Sequence, residues 1–411
     1  MSTISSKIFL HARNLYGTVV EIYLGKPWWQ QVIILSFTSV IYMQFTGMLG
    51  TKLLVPEIGW SDGAKYFVEI SDKLEGRFVR WDSGYYADIA RYGYSPGGPE
   101  RAFFPLYPLL NRLISNYSGL SLYWSGLLVS LVCYLGACLI LYRWVLLDYG
   151  PRLALHGVFL LCIFPMSFFF IAFYPTSLFL LLSLLSIYFA RRGQFVVSGF
   201  AIALAGAARP TAILLSIPYI FEFWQQKNFL RIQWLKFGLG ALISPLGLLG
   251  YLLFLAHQAG NANPISSYAL NLALNWQTYS AWPWKTLLDG IKSAVLGIGI
   301  QPDWFSRALV WHDLTYALFG LMVAMWALFH LRASSSGYLL ASILFFYANH
   351  GPQGYAFWSM PRHVVVLFPL FLCLSILTTR IAVRLRWLLF IISVGLLGMF
   401  SAWFATGRWV A

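Results

Sequence analysis

The chain has 411 residues, of which 59% are hydrophobic, 18% aromatic and 10% charged, with a net charge of +14. A soluble chain of this length needs far more charge to cover its surface, so the outside must face something other than water. The basic residues lie in short connections between apolar runs, which assigns the charge to membrane topology; no nucleic-acid partner is expected.

Apolar runs recur along nearly the whole sequence, at the length a helix needs to cross hydrocarbon. The short alternating segments of a membrane barrel are absent, so the predicted fold is an all-α polytopic bundle. The four cysteines, Cys133, Cys138, Cys162 and Cys373, fall inside apolar runs. They read as small buried hydrophobes, not as a disulfide framework.

In chain order, Lys7, Arg13 and Lys26 precede an apolar run from Val32 to Leu49. That pattern predicts a cytoplasmic segment over 1–31 and an uncleaved signal anchor, followed by a single transmembrane domain over 32–411. A long polar stretch, about 50–120, then lies outside. A second span over Tyr123 to Val145 returns to Arg143 and Arg152. Residues 153–190 would reach about 57 Å as one helix, so a break is expected at Tyr174-Pro175-Thr176. Basic residues flank 195–224 on both sides, which demands an even number of crossings and a turn at Arg209-Pro210. Span seven follows over Phe237 to Ala256. A second outer segment at about 257–308 carries Trp276, Trp282, Trp284 and Trp304 and suits interfacial helices. Spans eight to eleven complete the count, with an outer turn holding His350, Arg362 and His363. Of the basic residues, Arg209 and Arg362 alone fall in short outer turns, against the positive-inside rule.

The first outer loop carries Arg80-Trp81-Asp82-Ser83-Gly84-Tyr85-Tyr86-Ala87-Asp88-Ile89-Ala90-Arg91-Tyr92-Gly93-Tyr94, then Glu100-Arg101-Ala102-Phe103-Phe104-Pro105-Leu106-Tyr107-Pro108. The spacing predicts a helix over 83–91, with Trp81, Tyr85, Asp88 and Tyr92 on one face and Tyr86 and Ile89 on another. Asp82 reads equally as a helix N-cap or as a catalytic carboxylate. Asp88 reads as solvated or ion-paired, and Glu100 as a partner of Arg101 or another neighbour.

These two motifs resemble the PIG-V family, the second mannosyltransferase of GPI-anchor assembly and its prokaryotic relatives. The resemblance continues through Phe173-Tyr174-Pro175-Thr176-Ser177, Ala208-Arg209-Pro210 and Met360-Pro361-Arg362-His363. One departure is Pro175-Thr176-Ser177, where relatives tend to carry an acid. The resemblance implies a GT-C-like bundle that takes sugar, here mannose, from a polyprenyl-phosphate donor to a lipid- or glycan-linked acceptor. Such a reaction needs a carboxylate for the acceptor proton and cations for the departing phosphate. Asp82 fits the first role. Arg209, Arg362 and His363 fit the second, and Trp81, Tyr85, Tyr86, Asp88 and Glu100 suit acceptor binding. No resident metal or nucleotide site is indicated, although a divalent ion between Asp88 and Glu100 is an alternative occupant. The expected setting is a bacterial plasma membrane, or the endoplasmic reticulum in a eukaryote. The rival readings are a secondary transporter or flippase and a non-catalytic scaffold. The acids cluster in one outer loop, not at mid-membrane, which disfavours transport.

Overall fold

The computed structural model describes residues 25–55, 74–227, 230–260 and 263–410. Lys7 and Arg13, with the segment to position 24, and 56–73 of the long loop lie outside the described residues. The chain is an all-α bundle. Among the described residues its strand content is one two-residue ladder pairing Tyr279–Ser280 with Asn349–His350.

Among the described residues, five helices are long and apolar enough to cross a membrane: Trp28–Leu53, Leu122–Ile163, Arg231–Gln258 (bent at Ser244-Pro245), Trp304–His330 and Val383–Ala405. Four shorter apolar helices accompany them, Thr176–Arg191, Phe195–Gly206, Ala333–Ala348 and Pro369–Arg380. The expected eleven crossings therefore have no one-to-one match among single long helices. Large aliphatic side chains are exposed along these helices, among them Leu242 at 72% and Ile391 at 67%. That is the surface a bilayer requires. Inside, Phe168, Phe169, Phe170 and Phe173 are fully buried. Serines there bond to backbone, as Ser39 does to the Cys162 carbonyl (2.8 Å).

Glycine and proline set the breaks. Leu122–Ile163 is interrupted at Gly150, whose φ of 78° suits glycine, and Pro151 follows. This takes the place of the turn expected near Arg152. The expected break at Tyr174-Pro175-Thr176 is present, with the next helix starting at Thr176. At Arg209-Pro210 the proline bars α backbone from the residue before it. Arg209 is accordingly extended (φ −154°, ψ 145°), Phe195–Gly206 has ended, and a 3₁₀ turn over Pro210–Leu215 leads into Ser216–Gln226.

Phe195–Gly206 lies against both halves of Arg231–Gln258 through a seam of glycines. A Cβ on Gly199 would strike the backbone of Gly240, one on Gly206 would crowd Leu248, and one on Gly247 would strike the Ala203 carbonyl. Small residues of this kind let membrane helices touch backbone to backbone. The segment expected to lie outside at about 257–308 contains two helices, Pro264–Trp276 and Pro283–Leu296. Trp282, Trp284 and Trp304 are exposed, as interfacial residues should be, whereas Trp276 turns inward.

Candidate active site

The loop helix forms over Ser83–Tyr92, with Tyr86 and Ile89 buried and Tyr92 75% exposed. The two predicted faces are thus separated. Tyr86 sits between Phe103 (5.1 Å), Tyr107 (5.6 Å) and Tyr174 (6.2 Å). Tyr85 stacks on Phe103 at 4.8 Å and meets Trp276 at 5.5 Å. The second loop motif is tied down by its backbone. The Tyr251 hydroxyl donates to the carbonyls of Arg101 and Phe103, and the Leu106 N–H donates to the Ala207 carbonyl at 2.8 Å. That last bond places the loop two residues from Arg209.

Asp82 occupies the N-cap position but makes no side-chain cap bond. Its carboxylate instead accepts from the Arg362 guanidinium, 280 residues away in sequence. Both side chains are mostly enclosed, 12% and 15% exposed. The capping reading of Asp82 is therefore not realised: the carboxylate serves a tertiary partner. Arg209 donates to Thr176 Oγ1 at 2.9 Å and stands over the Phe179 ring at 5.6 Å. Among the described residues Arg209 makes no ion pair, so its nearest contacts neutralise none of its charge. Tyr86 and Arg209 each lie within electrostatic reach of Asp82 and Arg362, and His363 within reach of both arginines. The structure thus brings Asp82, Tyr86, Arg209, Arg362 and His363 to one place. His363 stacks on Phe346 at 4.9 Å, which fixes its ring.

Backbone strain concentrates here. Trp81 (φ 57°) immediately precedes Asp82, and Ser359 (φ 63°) precedes Met360–Val364, the short helix that carries Arg362 and His363. Positive φ is costly for residues other than glycine and tends to survive at functional sites.

Asp88 and Glu100 form a second, separate group. Glu100 is buried and accepts from the Ser95 N–H at 2.7 Å, while Arg101 reaches the Leu255 carbonyl at 2.7 Å. The expected Glu100–Arg101 pairing is not made. Among the described residues Asp88 makes no ion pair, and one of its carboxylate oxygens is buried without a partner. Burial, reinforced by the nearby Glu100 charge, pushes the Asp88 carboxyl up to about 6. Among the described residues no group of three or more metal-type side chains exists. Burial likewise pushes the Tyr86 phenol far up, so that it stays protonated as a donor.

Sequence reasoning missed three residues. Tyr174 OH accepts from the Asp82 N–H (3.1 Å) and donates to the Arg80 carbonyl (3.0 Å), pinning the start of the loop helix. Its place in the Phe-Tyr-Pro-Thr-Ser turn was a signal that spacing alone could not interpret. Trp409 meets Trp81 edge-on at 5.0 Å, and Arg362 lies 5.9 Å from the centre of its ring. Asp313, buried in Trp304–His330, sets its carboxylate against the backbone N–H groups of Ser359 and Met360. Glu222 is likewise buried within a helix, so two acids outside the first loop are enclosed in the bundle.

The family model described as mannosyltransferase (PIG-V) matches residues 52–256. Over this half of its length the chain is PIG-V-like. The matched stretch holds Asp82, Asp88, Glu100 and Arg209, and stops short of Arg362. No curated protein matches the chain. Solved structures similar to it include ArnT from Cupriavidus metallidurans bound to undecaprenyl phosphate, at 15% identity and a TM-score of 0.48, covering 79% of this chain and 61% of that one. The Archaeoglobus fulgidus oligosaccharyltransferase complex with Zn and sulfate is another, at 13% identity and a TM-score of 0.44, covering 90% and 53%. The PIG-V-like chain spans less than two thirds of the length of either structure.

Proposed function

We propose that this chain is a membrane glycosyltransferase that moves a sugar, mannose by its PIG-V likeness, from a polyprenyl-phosphate donor to a lipid- or glycan-linked acceptor. The observation that carries the proposal is the meeting of one carboxylate and two guanidinium groups away from bulk water, one of those cations lacking a carboxylate partner among the described residues. Charges removed from water are costly unless compensated, and an unpaired guanidinium next to a paired one suits a ligand anion.

In the proposed reaction Arg209 and Arg362 hold the donor phosphate. A guanidinium has five donors in a fixed fork, so Arg362 can serve Asp82 and a phosphate oxygen together. The acceptor hydroxyl gives its proton to Asp82 as its oxygen bonds to the anomeric carbon. The bond from that carbon to the phosphate oxygen breaks, and its electron pair stays on the phosphate facing the two arginines. Attack opposite the leaving group inverts the anomeric centre. Trp81, Tyr85 and Tyr86 offer aromatic surface to the acceptor, and His363 flanks the phosphate side. Asp88 and Glu100 serve an acceptor hydroxyl or a divalent ion. The distribution of Lys and Arg supports an extracytoplasmic setting for this end of the bundle, with a bacterial plasma membrane the preferred one.

The buried acids Asp313 and Glu222 are the one observation that favours the rival, a transporter. Yet Glu222 is taken up by Arg191, Arg332 and Ser334, and offers nothing free to a passing ion. Purified protein tested for transfer of radiolabelled sugar from polyprenyl phosphates, beside a liposome uptake assay, separates the two. Transfer without uptake is expected; uptake without transfer refutes the proposal.

A further inference from the structure

At the other end of Thr176–Arg191 from Arg209, a second pair of guanidiniums gathers on one oxygen. Tyr188 lies near the end of that helix with its side chain buried. Its hydroxyl accepts from Arg192 Nη1 at 3.1 Å and from Arg143 Nη2 at 3.5 Å. Arg143 comes from Leu122–Ile163, shortly before the Gly150 break, and stands 5.4 Å from the centre of the Trp28 ring. Trp28 opens Trp28–Leu53 and stacks on Tyr142 at 4.9 Å. Three helices thus converge on this spot.

The neighbouring arginines show what the pair lacks. Arg191 and Arg332 are matched by Asp148 and Glu222, whereas Arg143 and Arg192 make no ion pair among the described residues. Two like charges drawn onto a neutral phenol repel each other, and the phenol compensates neither. Each guanidinium keeps further N–H donors in its fork, and the Tyr188 hydroxyl, accepting from both, has its own proton to donate. Two forks and a hydroxyl this close together suit the oxygens of one phosphate group.

The surroundings select the source of that phosphate. Leu147, one turn on from Arg143, is 43% exposed, and Trp29, next to Trp28, is 46% exposed. Tryptophans at the head of a span mark the depth of lipid headgroups, and the charge rule assigns Arg143 and Arg192 to the cytoplasmic side. A soluble anion gains nothing from such apolar flanks, whereas a lipid does.

We infer that Arg143, Arg192 and Tyr188 bind the phosphate of an anionic glycerophospholipid of the cytoplasmic leaflet, whose acyl chains run past Leu147 and Trp29. The inference goes beyond the proposed sugar transfer and does not depend on it.

The test is a titration of the detergent-solubilised full chain with phosphatidylglycerol, followed by native mass spectrometry, beside phosphatidylcholine. One tightly held phosphatidylglycerol per chain is expected, and weaker binding of phosphatidylcholine, whose choline cation the arginines repel. Arg143→Gln combined with Arg192→Gln should weaken phosphatidylglycerol by about 30-fold, the combined effect of two basic residues at an anionic lipid surface. Arg380→Gln combined with Arg384→Gln removes the same charge from exposed arginines expected on the same face, and should leave the affinity unchanged. Inorganic phosphate at the concentration of the lipid should not displace it. If the first double variant does not fold, Tyr188→Phe decides the matter: it keeps the ring, removes the shared oxygen, and should still weaken the lipid. Equal binding of phosphatidylcholine, an equal loss in the Arg380 and Arg384 variant, undiminished binding in Tyr188→Phe, or displacement by inorganic phosphate overturns the inference.

Discussion

Two ionic clusters sit at opposite ends of the Thr176–Arg191 helix, about 24 Å apart along its axis, and they are built differently. At the Arg191 end, Arg191 binds Asp148 (2.6 Å) and Glu222 (3.5 Å), Arg332 binds Glu222 (3.4 Å), and Ser334 donates to Glu222 as well. Two carboxylates answer two guanidiniums, and the Glu222 side chain is 1% exposed. At the Thr176 end, Asp82 answers Arg362, but a hydroxyl and a ring are what hold Arg209. The first cluster matches carboxylate to guanidinium and ties four helices together. The second has cationic capacity to spare beside a carboxylate, strained backbone and nearby aromatic rings. Matched charge marks structure; an unanswered charge marks a place for a ligand.

The largest effect that sharpens this contrast is expected from Asp82→Asn. Loss of a general base costs about 10²–10⁴-fold in kcat, measured by transfer of radiolabelled sugar, with melting left near that of the parent. An active variant would return Asp82 to a structural role. Glu222→Ala should behave in the opposite way. Breaking a buried pair costs about 3–5 kcal/mol, read as a large drop in chemical or thermal stability, while transfer per folded molecule holds. If that variant folds normally yet loses catalysis, the division between the clusters fails. Arg209→Gln removes charge-assisted bonds worth about 1.5–3 kcal/mol and should raise the KM for donor by about 10–100-fold. A change confined to kcat would place Arg209 elsewhere in the reaction.

The smallest expected effect concerns Asp88. Its carboxyl is raised to about 6 in the fold, above the range for an unfolded chain. A raised pKa contributes stability at low pH that is lost as pH climbs through about 6. Asp88→Asn should therefore melt slightly above the parent at about pH 8, and the advantage should vanish below about pH 4. A pH-independent difference would show that the carboxyl titrates normally.

Local chemistry made much of this legible in the sequence. Prolines at 175 and 210 dictate where helices stop, whatever packs around them. The loop helix follows from the spacing of Tyr86 and Ile89, and the two arginines stand out because the expected topology sets them in short outer turns, against the charge rule. Capping propensity misled at Asp82, since an aspartate at that position can serve a local N–H or a distant cation, and only the fold brings Arg362 within reach. For Glu100 the sequence leaves Arg101 or another neighbour open, and the fold selects the nearby Ser95 N–H. Tyr174, Asp313 and Trp409 act across separations of 46 to 328 positions in the chain, and no period or motif reports such contacts. Asp313 in particular reads as the one acidic residue of Trp304–His330, with no sign of which backbone it faces.

The glycine seam has a consequence for how the molecule can be tuned. Where two backbones touch, no side chain is left to yield, so Phe195–Gly206 and the two helices beneath it form one stiff plate, with Arg209 at its lip. Such a shelf does not bend toward a visitor; the visitor must fit the shelf. A lone methyl group added at Gly240, far along the plate from any reacting atom, would pry the layers apart and tilt that lip. Under the proposed function, variation in donor preference is therefore to be sought in the smallest residues of these helices as much as around Asp82 and Arg209.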